Sequence, residues 1–122
     1  VNTASRLQEY TKSAQARHTL QQTRELVVQG VRASQWDLER AAADLRARSR
    51  TVALARRAYE LASLRYDEGA ADLLETADAR IALQIAQMYE AQARHDYFVA
   101  LARLERFSGQ PLLAQVLPAA GN

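Results

Sequence analysis

From Ser5 to Tyr66 the chain contains no proline and one glycine, Gly30, so nothing in that span obliges a helix to stop. At 1.5 Å per residue such a helix is roughly 90 Å long, about three times the diameter of a small domain. It cannot fold back into a core of its own and needs neighbours along its length.

The rest of the composition agrees with helix. Ala, Leu, Arg, Gln and Glu are abundant, while the whole chain has two prolines, four glycines and no cysteine. With 48% hydrophobic and 25% charged residues it falls among folded chains, and 122 residues make one domain. The lack of cysteine excludes disulfides, thiolate metal sites and thiol nucleophiles, and does not decide the compartment.

Sixteen basic against fourteen acidic residues leave a net charge of only +2. The arginines are interspersed with acids along both helices, whereas a nucleic-acid footprint would be clustered, so no nucleic-acid partner is expected. There is no apolar run of about eighteen residues. The opening VNTASRLQEY has no signal-peptide apolar core, so this stretch is expected neither to span a membrane nor to target itself.

Val31, Leu38, Leu45, Val52, Tyr59 and Tyr66 recur every seventh position, the pattern of a coiled-coil seam. A companion row, Leu20, Val27, Ser34, Ala41, Ala55, Ala62 and Gly69, is mostly small, is broken by Arg48, and lets a second helix approach closely. The segment RYDEGAADLLE ends this pattern. Gly69 can take the left-handed conformation of a helix end, and Asp72 can cap the next helix with Glu75 at capping-box distance.

A second helix is expected from about Leu73 to Phe107, roughly 50 Å long. It carries a stripe at Leu74, Ile81, Met88, His95 and Ala102, flanked by Ile85, Phe98 and Val99. On another face lies an alanine heptad, Ala79, Ala86, Ala93 and Ala100, a site of close helix packing. Two contact faces imply two neighbours. Ser108, Gly109 and Pro111 end the helix and leave an irregular tail over 109–122.

The expected fold is therefore all-α: a long antiparallel helical hairpin, a coiled coil over roughly residues 5–66 and 73–107 with a tip turn at 67–72. Its second helix reaches back only to about residue 30, which leaves roughly 40 Å of the first helix unpaired. One seam cannot bury enough apolar surface to offset the ordering of so long a chain, so self-association is expected.

Catalysis finds little support. His18 and His95 are the only histidines, lie on separate helices and belong to no E-x-x-H or H-E-x-x-H pattern, so no catalytic residue, metal or cofactor is assigned. His95 replaces an apolar residue in its stripe and reads as a hydrogen-bonded histidine at a helix contact. Trp36 reads equally as an interface anchor or as a lid over the helix pair. Tyr59 and Tyr66 prolong the seam, with hydroxyls able to bond to a neighbouring helix. Glu75 and Asp78 share a face at a helix start, where the dipole stabilises acids. Copies around a symmetry axis would make them an acidic ring.

Taken together, Tyr66-x-x-Gly69, the run Leu73-Leu74-Glu75-Thr76-Ala77-Asp78-Ala79-Arg80, then Ala93-Arg94-His95-Asp96-Tyr97, Leu104 and Gly109 resemble the TolC-like outer membrane factors over nearly the whole chain. The resemblance implies one periplasmic helical hairpin of a trimeric export channel of Gram-negative bacteria, with membrane contact only through β-strands absent from this stretch. The segment from Leu74 to Arg80 is more similar to the family's second structural half.

On the same resemblance Tyr66, Glu75 and Asp78 belong to the gated periplasmic entrance, and Gly69, Ala70, Ala71 and Leu73 to a tip that meets a periplasmic adaptor. An inner-membrane pump would supply energy indirectly, in drug efflux or type I secretion. In one member of that family a basic residue two positions after the turn glycine completes the lock, where this chain has Ala71. The competing reading is a structural coiled coil or an adaptor hairpin with no channel role. An adaptor should be flanked by lipoyl-like strands.

Overall fold

A computed structural model describes residues 2–109 of the chain. Two helices, α1 (Asn2–Asp67) and α2 (Leu73–Ser108), run antiparallel and pack along one side of each other. No strand occurs among the described residues. The architecture is the all-α hairpin that the periodicity predicts. Beyond Gly109, the tail expected over 109–122 lies outside the described residues.

The seam on α1 alternates steps of three and four residues: Val31, Ser34, Leu38, Ala41, Leu45, Arg48, Val52, Ala55, Tyr59 and Ala62 are all buried or half-buried. The row from α2 is Thr76, Ala79, Leu83, Ala86, Glu90, Ala93, Tyr97, Ala100 and Leu104, likewise buried or half-buried. Large residues of one helix thus face alanines of the other, the arrangement that brings two helices close. Ala93 and Leu101, each 3% exposed, are the most enclosed.

Polar groups inside the seam are satisfied locally. The Thr76 hydroxyl donates to the Ala62 carbonyl at 3.3 Å, and Glu90 accepts from Arg94 at 3.4 Å. Arg48, which interrupts the small-residue row, stands over the Tyr89 ring at 4.8 Å from its centroid and pairs with Asp44 at 3.5 Å. Its apolar stem fills the seam while its charge reaches water.

The stripe through Leu74, Ile81 and Met88 does not take part in this seam; all three are exposed, Met88 at 72%. Ile81 lies two positions from both Ala79 and Leu83, about 200° around the helix from each, and so on the far side of α2. His95 is on the same exposed stripe, and its side chain makes no hydrogen bond among the described residues. Trp36, 64% exposed, does not roof the helix pair.

Along α1, residues 2–29 are exposed throughout, about 40 Å of helix without a packing partner among the described residues. Leu7, Tyr10, Leu20, Leu26, Val27 and Val28 leave apolar surface there in water.

Candidate functional site

The tip is built by the end of α1. The N–H of Gly69 donates to the Tyr66 carbonyl at 3.0 Å and the N–H of Ala70 to the Arg65 carbonyl at 2.7 Å, closing the helix in a Schellman motif. That geometry requires a positive φ at the residue after the cap, and Gly69 has φ +76. Ala71 adds a second bond to the Arg65 carbonyl at 3.2 Å.

Asp72 then caps α2, its carboxylate accepting from the Glu75 N–H at 2.9 Å. The Glu75 side chain does not complete a capping box. It crosses the turn to Arg65, whose Nη1 lies 2.5 Å from Oε1, while Nη2 donates to the Ala70 carbonyl at 3.5 Å. Both side chains of this pair are nearly half exposed, which limits its contribution to stability to below about 1 kcal/mol. Its consequence is positional: one guanidinium ties the last turn of α1, the tip and the first turn of α2 together.

The remaining sequence-derived residues are placed as follows. Tyr66, Leu73 and Asp78 are exposed, as are Gly69 and Ala70, whereas Ala71 is half-buried. The side chains of Tyr66 and Asp78 make no hydrogen bond or ion pair within the described residues, so the chain alone does not join Tyr66 to either acid. Ala79 is half-buried; Ala86, Ala93 and Ala100 are buried in the seam.

Two contacts involve arginines that the sequence reading does not single out, although it expects the Tyr59 hydroxyl to bond to a neighbouring helix. Arg65 is signalled only by its position in the last turn of a helix, where the dipole favours a cation. Arg80 crosses the seam to Tyr59. Its guanidinium, hydrogen-bonded to the phenol along with Ser63, holds that hydroxyl below its ordinary value of 10.0.

Among the described residues no group of three or more His, Cys, Asp and Glu is gathered as a metal would need. No helix there is long and apolar enough to cross a membrane.

A family model described as outer membrane efflux protein matches residues 1–110. No curated protein and no solved structure gives a significant match. Both helices, the capped turn and the seam between them all fall inside the matched span, and the chain belongs to the outer membrane efflux protein family.

Proposed function

We propose that this chain is a periplasmic coiled-coil hairpin of an outer-membrane export channel, a passive conduit with no catalytic role that serves tripartite efflux or type I secretion. Three copies of the complete protein close the tunnel. The hairpin tip lies at the gated entrance and meets the coiled-coil end of a periplasmic adaptor through Gly69, Ala70, Ala71 and Leu73.

The observation that carries this reading is the family match across a hairpin that leaves apolar surface on the side of α2 away from its seam. A free-standing two-helix coiled coil would place its large apolar residues in the seam. Here Leu74, Ile81 and Met88 lie outside it, while the seam of α2 is rich in alanine. The helix over residues 2–29, exposed and without a packing partner among the described residues, adds a further surface for a neighbour.

At the entrance, Glu75 and Asp78 from three copies set the local potential, attracting cations and disfavouring anions. The test is the ion selectivity of the complete channel in planar bilayers with Glu75→Gln and Asp78→Asn. A reduced preference for cations supports the assignment, and unchanged selectivity and conductance remove it.

A further inference from the structure

The two entrance carboxylates differ in their surroundings. Glu75 is paired across the turn with Arg65 at 2.5 Å, and the same guanidinium is steadied by the Ala70 carbonyl. Asp78, one turn further along α2, has no ion-pair partner among the described residues. The nearby Arg80 is engaged instead with the Tyr59 hydroxyl on α1.

Resting on the proposed entrance role, we infer that Arg65 is a specificity-determining residue: it compensates Glu75 within each chain and leaves Asp78 as the carboxylate whose charge the pathway senses. The physical basis is distance. An ion passing several ångströms away sees a guanidinium and a carboxylate in direct contact as a dipole, whose field falls faster than that of a lone charge. Screening by salt weakens the pair's residual field further. The ring formed by three copies then carries about one effective negative charge per chain from these two positions.

Arg65 therefore sets the gain of the entrance. Removing it exposes Glu75 as a second uncompensated acid, and removing Glu75 exposes a cation beside the path. Because the two changes have opposite signs, they should cancel when made together.

The experiment measures the cation-over-anion permeability ratio of the complete channel in planar bilayers for Arg65→Gln, Glu75→Gln, the double variant, Asp78→Asn and Arg65→Lys. Arg65→Gln is expected to raise the ratio severalfold, and Glu75→Gln and Asp78→Asn to lower it. The double variant returns close to the unmodified channel, and Arg65→Lys, which keeps the charge, stays close to it as well. If Arg65→Gln leaves the ratio unchanged and the double variant behaves as Glu75→Gln alone, Arg65 does not compensate and the inference is overturned while the entrance assignment stands. If no substitution at any of the three positions alters the ratio, the entrance assignment itself fails and takes the inference with it.

Discussion

The ring of Phe107 lies against the backbone of Gly30, so that a Cβ at position 30 would stand 2.9 Å from its Cε1. This contact is where the second helix ends on the first. It also gives a reason for a glycine inside α1, where its low helix propensity costs about 1 kcal/mol relative to alanine. The absent side chain leaves room for an aromatic ring at the last turn of α2.

The contact predicts non-additivity. Gly30→Ala should stabilise the hairpin by roughly 1 kcal/mol when Phe107 is already alanine, and by clearly less when the ring is present. Urea unfolding of the two single variants and the double variant measures this. An equal gain in both backgrounds would mean that the ring does not press on position 30.

At the tip, the positive φ of Gly69 is the sole obstacle to a side chain, since a Cβ there would meet no atom within 4 Å. Gly69→Ala should cost about 1 kcal/mol, with Gly69→Asn milder because asparagine tolerates that conformation. Asp72→Ala should cost a similar ~1 kcal/mol by uncapping α2. Thermal unfolding with no loss for either alanine variant would contradict the turn geometry.

The buried alanine row and the exposed stripe should respond oppositely to change. Ala86→Leu or Ala93→Leu inserts bulk into a closed seam and should cost roughly 1 to 3 kcal/mol in urea melts. Ile81→Glu or Met88→Glu should leave helix content intact and reduce association between chains. If the leucine variants melt like the parent, the seam is not closed at those positions.

Tyr59 supplies a prediction in pH. Arg80 and Ser63 lower its pKa in the folded state, so folding favours the phenolate relative to the unfolded chain. The resulting stabilisation is absent at neutral pH. It appears as pH rises through the lowered folded value, is complete above the ordinary value of 10.0, and is lost again as pH falls. Ultraviolet difference titration should show one tyrosine ionising early in the parent and not in Arg80→Gln. Identical titration curves would place Arg80 away from the phenol.

Much of this structure is legible in the sequence because a heptad is a local pattern. The spacing of Val31 to Tyr59 gives the seam of α1, and Gly69 with Asp72 gives the turn through rules of backbone conformation and capping. The partner row on α2 is harder to see. Its large-side-chain positions hold Thr76 and Glu90 as well as Leu83, Tyr97 and Leu104, while the more apolar Leu74, Ile81 and Met88 lie outside. Apolarity alone does not say which of the two faces meets α1, because the seam positions of α2 are held largely by alanines with Thr76 and Glu90 among them. The Arg65–Glu75 pair is hidden for another reason: it joins residues on opposite sides of a turn, and no periodic pattern encodes which rotamer will reach across.

The claim that most needs testing is that the hairpin's outer faces are made to be covered by other copies. Light scattering combined with small-angle X-ray scattering across a concentration series of the 122-residue chain tests it directly. The account predicts an elongated oligomer that grows with concentration and is at least about 100 Å long, the length of the 66-residue first helix. A compact monomer at every concentration would contradict it, since the apolar stripe of α2 and the unpaired part of α1 would then be covered within a single chain.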